Sequence, residues 1–184
     1  MMNRCGWAKD EPNMTYHDKE WGRPQHDDKK LFEFLILEGA QAGLSWVTIL
    51  KRRDGYIQAF SDFDVLKVSK YTQKHVEKLL KNESIIRNRL KVNSAINNAK
   101  QFLKIQAEFG SFDKYLWGFV NHKPIKNKFK KPDDLPTSTE ISEKLSKDLK
   151  KHGFNFVGPT ICYALMQAIG MVNDHTSNCY LYQK

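Results

Sequence analysis

A carboxylate occupies a position in this chain that its neighbours reserve for apolar side chains. Leu31, Phe34, Leu35 and Glu38 recur at the i, i+3, i+4, i+7 spacing of one helical face, whereas Glu33 falls off it. An acid turned toward a core must be paired, hydrogen-bonded or protonated, or its desolvation costs several kcal/mol. The residues that follow, Gly39-Ala40-Gln41-Ala42-Gly43-Leu44-Ser45-Trp46, supply two glycines for an unusual backbone path and end in a large aromatic. A buried acid beside such a turn and a tryptophan describes the floor of a pocket. An edge position, from which Glu38 simply reaches solvent, satisfies the same pattern.

A second set of chemically capable residues sits at the two ends of the chain. Cys5 and His17 stand near the start, and His175 and Cys179 near the end, the latter pair spaced to chelate one ion. Two thiolates and two imidazoles would make a filled tetrahedral shell suited to zinc. On spacing alone, cysteines and histidines scattered through a core account for the pattern too. Cys162 lies on a helical stripe with Ile161 and Leu165 and reads as packing, and His26, His75, His122 and His152 carry no assigned role.

The elements that must position these groups read as helices. One covers 29–37 and beyond. A second spans 72–80, with Val76, Leu79 and Leu80 inward. A third spans 87–102, with Val92, Ile96, Ala99 and Leu103 on one stripe. A short aromatic helix covers 112–120, and another covers 142–151 after the capping residues Thr137-Ser138-Thr139-Glu140. Pro159 suits a first helical position ahead of Ile161, Leu165, Ala168, Ile169 and Val172. No alternating pattern of useful length appears, so the chain reads as all-α. The polar stretch 121–136 is the only linker-like segment, serving either as a boundary between lobes or as one long surface loop.

Bulk properties narrow the partner. The chain has 184 residues, enough for one domain or two intimately packed lobes. Its net charge of +9 points to a polyanion, with clusters at Lys51-Arg52-Arg53, at Lys126, Lys128, Lys130 and Lys131, and at Lys144, Lys147, Lys150 and Lys151. Each cluster alone reads equally as a solvated surface. No run approaches the ~20 apolar residues of a membrane span. The first residues hold no apolar signal core, and three cysteines do not suggest a secreted disulfide framework, so a cytoplasmic location is expected.

The run Leu37 to Trp46 resembles the signature of the type I 3-methyladenine DNA glycosylases. So do Arg4-Cys5-Gly6-Trp7, Tyr16-His17-Asp18-Lys19-Glu20-Trp21-Gly22, Phe156-Val157-Gly158-Pro159-Thr160-Ile161-Cys162-Tyr163 and Gly170-Met171-Val172-Asn173-Asp174-His175. The segments keep the family's order and span nearly the whole chain. The resemblance implies a helix-hairpin-helix glycosylase fold over 1–184, with terminal segments 1–30 and 152–184 tied by a structural zinc on Cys5, His17, His175 and Cys179, and a helical DNA-binding lobe at 31–151. It places the hairpin at 79–91, where Ser84 stands near an expected glycine, with Arg87 and Lys91 toward DNA. Leu44, on the turn between Gly43 and Ser45, would plug the gap left by an extracted base, with Gly43 toward DNA, although Leu44 reads equally as a core leucine.

The resemblance further implies that Tyr16, Trp46, Trp21 and Trp7 surround the base, with Glu38 as its reader and electrostatic aid. The substrate would be 3-methyladenine, cationic while still attached to its sugar. Its charge weakens the glycosidic bond, so no general acid is needed, and no lysine is placed as a nucleophile; hydrolysis without strand cleavage is expected. The expected partners are double-stranded alkylated DNA and the free base as product, with a monomeric chain and no membrane. The alternatives are a glycosylase of broader alkylpurine range, a non-catalytic zinc-containing damage-binding module, and a zinc hydrolase, the last disfavoured by the filled ligand set.

Overall fold

The computed structural model describes residues 3–182. After the N-terminal segment, α1 (Asn13–Lys19) leads into α2 (Asp28–Gln41). α2 begins where the Asp27 carboxylate accepts the Lys30 backbone N–H at 2.9 Å, satisfying one of the free amides of a first turn. Every residue from Leu31 to Ala40 is buried. From Leu31 to Ala40 α2 therefore has no solvent face, and Glu33, expected off the apolar stripe, is only 3% exposed. Its carboxylate accepts from Arg53 Nε and Lys30 Nζ, each at 2.7 Å. A buried acid persists there because cations cover it.

Three short helices follow: α3 (Trp46–Leu50), α4 (Arg53–Ala59) and α5 (Val65–Ser69). Ser45 and Asp64 cap α3 and α5 by accepting the Thr48 and Lys67 N–H groups. Arg53, at the start of α4, also grips Glu20 through two bonds of 2.7 Å, which ties the end of α1 to α2 and α4.

α6 (Gln73–Leu80) and α7 (Arg89–Phe109) flank the segment 79–91 at which the hairpin is expected. In the turn between them, Asn82 Oδ1 accepts both the Ser84 N–H and its hydroxyl, and Asn88 caps α7. α7 starts two residues later than expected and runs further, ending at Gly110 in the left-handed region. Its inward stripe continues through Phe102 and Ile105, leaving Leu103 half-buried. α8 (Phe112–Gly118) is anchored by Asp28 of α2, which accepts the Phe112 and Asp113 N–H groups and Gln106 Nε2.

The stretch 121–136 is fastened along its length. Within it, β1 (Ile125–Lys126) precedes a single 3-10 turn at Pro132–Asp134. Then come α9 (Glu140–Lys151), capped by Thr139, and α10 (Pro159–Ala168), which starts on its proline; β2 (Val172–Asn173) follows. β1 pairs in parallel with β2, Ile125 opposite Val172, and Phe129 O accepts the Ser177 N–H at 2.7 Å. The linker-like composition of this stretch thus belongs to a loop hooked onto the C-terminal segment. That segment also meets the start of the chain, where Asn3 O accepts the Tyr180 N–H at 2.9 Å.

The architecture is mostly helical, with one contiguous cluster of buried apolar side chains reaching from Cys5 to Leu181. No helix among the described residues is long and apolar enough to cross a membrane.

Candidate base-binding pocket and metal centre

Glu38 lies on the last turns of α2 and is 4% exposed. No hydrogen bond or ion pair engages its side chain among the described residues, and burial alone pushes its carboxyl up to about 8. It lines a pocket of about 340 Å³. Tyr16 and Asn13 come from α1, Trp46 from the first turn of α3, Trp7 and Trp21 from the segments flanking α1, and Ala164 and Gln167 from α10. The edge position once open to Glu38 is thereby excluded.

The aromatic walls touch one another. Tyr16 and Trp46 hold their ring centroids 5.3 Å apart at 51°, and Trp7 meets Trp21 edge-on at 5.1 Å. Burial, with the charge of Glu38 nearby, pushes the Tyr16 hydroxyl well above its usual range, so it stays a donor. Trp46 Nε1 and Asn13 Oδ1 are buried without partners among the described residues. Unsatisfied polar atoms in such a place mark somewhere a ligand or water belongs.

The turn after α2 carries the next group. Gly43 sits at φ 75°, and a Cβ added there would meet nothing within 4 Å; the backbone path, not packing, requires glycine. The turn presents Leu44 at 39% exposed, which removes the core-leucine reading. Lys91 Nζ, from the first turn of α7, donates to the carbonyls of Ala40 and Ala42 at 2.9 and 2.6 Å. The start of α7 and the Leu44 turn are thus joined directly. Arg87 is exposed between α6 and α7, 3.3 Å from Glu83.

Behind the pocket, Cys5, His17 and Cys179 bring their ligand atoms within 4.8 Å of one another. His17 turns Nε2 toward Cys179 Sγ at 3.4 Å, while Nδ1 meets the Asp18 carboxylate at 2.8 Å. Arg4 clamps that carboxylate with Nε and Nη2 and holds Asp18 well below the usual range. A carboxylate on the far nitrogen fixes the tautomer a metal-binding imidazole needs. Thr176 donates its N–H to Cys5 Sγ at 3.4 Å.

His175, the fourth expected ligand, stands beside this trio rather than within it, its ring 5.1 Å from that of His17. Its Nδ1 meets Asn173 Oδ1 at 2.9 Å, and its Nε2 is buried with no partner among the described residues. Burial pushes its imidazole down to about 4, leaving it neutral. Gly22, at φ 73°, makes room for it: a Cβ there would lie 2.7 Å from His175 Cε1. Two thiols, one oriented imidazole and a neighbouring orphaned nitrogen fit a metal ion. Trp7 packs against His17 at 5.3 Å, and Trp21 against His17 and His175 at 6.1 and 4.7 Å, so this centre backs the aromatic wall of the pocket.

Sequence reasoning missed Asn13, Gln167 and Asp174. Gln167 carried a signal of the same kind as Glu38, an amide on an otherwise apolar helix, Pro159–Ala168. Asn13 left none, because α1 is too short to show a face.

A pocket with an unpaired acid among aromatic rings, beside an exposed leucine, is what an enzyme needs to hold a base drawn from a duplex. The model of the methyladenine glycosylase family matches residues 7–182, and the chain belongs to that family. It is 48% identical to DNA-3-methyladenine glycosylase 1 of Escherichia coli (strain K12), covering 98% of this chain and 97% of that protein. A crystal structure of 3-methyladenine DNA glycosylase I superposes with a TM-score of 0.95 at 46% identity, over 97% of this chain and 99% of that one. The 3-methyladenine DNA glycosylase I of Staphylococcus aureus, whose structure concerns 3-methyladenine recognition, superposes at 0.94 with 39% identity over 97% and 96%.

Proposed function

We propose that the protein hydrolyses the N-glycosidic bond of 3-methyladenine in alkylated double-stranded DNA and leaves the strand uncut. The observation that carries this reading is Glu38, an unpartnered carboxylate buried among aromatic rings. The extracted base stacks on Trp46 and Tyr16, with Trp21 and Trp7 closing the wall. A cation over an aromatic face gains roughly 0.5 to 2 kcal/mol. Glu38 adds a charge-assisted hydrogen bond from the exocyclic amine. Guanine would set a carbonyl oxygen against that carboxylate, so cationic adenine is preferred.

The positive charge on the base makes it a good leaving group. Water adds to the sugar carbon and loses a proton to solvent as the base departs, now neutral, with the bonding electrons, and the nearby Glu38 charge favours the cationic, oxocarbenium-like state. The Leu44 turn fills the vacated stack, as apolar wedges do in other DNA-distorting proteins. In this reading the whole chain is one glycosylase domain of helix-hairpin-helix type, acting as a monomer. Arg87 and Lys91 of the hairpin, with Gly43 and Leu44, face the DNA.

Cys5, His17, Cys179 and His175 would hold zinc, which when bound supplies structural cross-linking and, with four protein ligands, no site for water. The orphaned His175 Nε2 and the Asp18-oriented His17 support this assignment.

The test is chromatography of free bases released from methylated duplex DNA. Release of 3-methyladenine well above 7-methylguanine supports the reading. Comparable release of both bases favours a broader alkylpurine glycosylase. DNA binding with no base released would make the protein a binding module instead.

A further inference from the structure

We propose that Gln167 is a second reader of the base, its side-chain carbonyl accepting a hydrogen bond from the exocyclic amine alongside Glu38, with buried Asp174 as the residue that aims it. The inference rests on the base-excision reading above and adds a specificity determinant to the same pocket.

Gln167 lines the pocket from α10. Its Nε2 donates to Asp174 Oδ2 at 2.8 Å. Asp174 is 1% exposed and also accepts from the Tyr163 hydroxyl and from Asn127 Nδ2. Burial and the Asp174 carboxylate push the Tyr163 hydroxyl up, which keeps it a donor. A side-chain amide is ambiguous by itself, since its oxygen and nitrogen are interchangeable in shape. The Asp174 carboxylate, whose oxygens accept from the Tyr163 hydroxyl and Asn127 Nδ2, resolves the ambiguity because it presents acceptors to the amide. The NH2 group is drawn to Asp174, and the carbonyl oxygen is left with no partner among the described residues. The backbone is pinned as well, because Gln167 O accepts the Gly22 N–H at 3.0 Å, next to Trp21 of the pocket wall.

The pocket therefore offers two fixed acceptors, the Glu38 carboxylate and the Gln167 carbonyl. Adenine's exocyclic amine carries two N–H donors, one for each. A methylated guanine presents an oxygen at that edge and would face two acceptors with nothing to give either. The Gln167 contribution should be about tenfold in preference, the weight of one neutral hydrogen bond.

The experiment compares wild type, Gln167→Met, Asp174→Asn and the double variant. Gln167→Met keeps the volume and removes the acceptor. Two readouts are taken: titration with free 3-methyladenine, and the ratio of 3-methyladenine to 7-methylguanine released from methylated duplex. Gln167→Met is expected to keep its thermal midpoint, bind the free base about tenfold more weakly and narrow the ratio by about as much. Asp174→Asn, which offers the amide a donor as well as an acceptor, should lose part of the same preference, and lose nothing more in the Gln167→Met background. Unchanged base affinity and ratio in Gln167→Met overturns the proposal. So does intact base affinity with a reduced turnover, which would make Gln167 a holder of water. The Gln167→Met result decides even where Asp174→Asn fails to fold. If the wild type releases no base, the excision reading fails, while the free-base titration still judges Gln167.

Discussion

The Lys91 ammonium on α7 donates to the Ala42 carbonyl oxygen at 2.6 Å, two residues before Leu44. It also reaches Ala40 O, so two of its three donors close the end of the helix that carries Glu38. The third is free for a phosphate, which reconciles this geometry with the DNA contact proposed for Lys91. Lys91→Met should cost about 1–3 kcal/mol in urea unfolding, the weight of charge-assisted hydrogen bonds. It should also lower the slope of log affinity against log salt by about 0.9. A variant as stable as wild type would show that the bonds to Ala40 and Ala42 carry no weight.

Glu38 couples stability to pH in a direction opposite to most acids. Its native carboxyl is pushed up to about 8 from 4.5, so between those values the folded protein holds a proton that the unfolded chain has lost. The Glu38 contribution is therefore most favourable below about 4.5, declines through the window, and levels off above about 8. Glu38→Gln should be more stable than wild type at pH 8 and show a smaller decline between. Activity should run the other way. Binding a cationic base needs the ionised carboxylate, so wild-type kcat/KM rises toward pH 8, whereas the variant is slow and flat across the window. A variant with wild-type base preference would remove Glu38 from the recognition role.

Arg53 joins Glu20 and Glu33 through three bonds of 2.7 Å. Arg53→Met would leave Glu33 buried with Lys30 as its only cation among the described residues. A loss of about 3–5 kcal/mol is expected from denaturant unfolding, the usual cost of stranding a buried charge. A loss below 1 kcal/mol would mean that the network adds little.

Leu44 separates function from folding. Being exposed, it should tolerate replacement by alanine within about 0.5 kcal/mol, while base release from duplex DNA falls severalfold and binding of the free base stays unchanged. Equal loss in both assays would place Leu44 in the pocket rather than at the duplex.

Cys179→Ala tests the metal centre. Zinc content by elemental analysis and the thermal midpoint should fall together, as they do where metal binding is part of the folding energy. A zinc-free variant with the wild-type midpoint would refute the proposed cross-link.

The sequence made Glu38 visible because one acid interrupted an apolar stripe. The same pattern misplaced Glu33, since periodicity identifies a buried face only where a solvent face exists to contrast with it, and α2 has none from Leu31 to Ala40. The longer helices α6, α7, α9 and α10 were legible from period and caps. α1 and α3 to α5 were not, because helices of five to seven residues hold too few turns for a period. Tyr16 belongs to one of these, so its closeness to Glu38 came from the family resemblance alone, whereas Trp46 was within reach because a single turn separates it from Glu38. Asp174 was beyond reach for another reason: its partners are Asn127, just after β1, and Tyr163 and Gln167, both on α10, two segments that only the fold brings together.

The pocket takes Trp7 and Tyr16 from one end of the chain and Gln167 from near the other. During synthesis the aromatic half emerges first and waits while nearly all the rest is translated. Until α10 has left the ribosome, the nascent chain has a stacking surface without its far wall. The wall that carries Ala164 and Gln167 is the last part of the pocket to be synthesised.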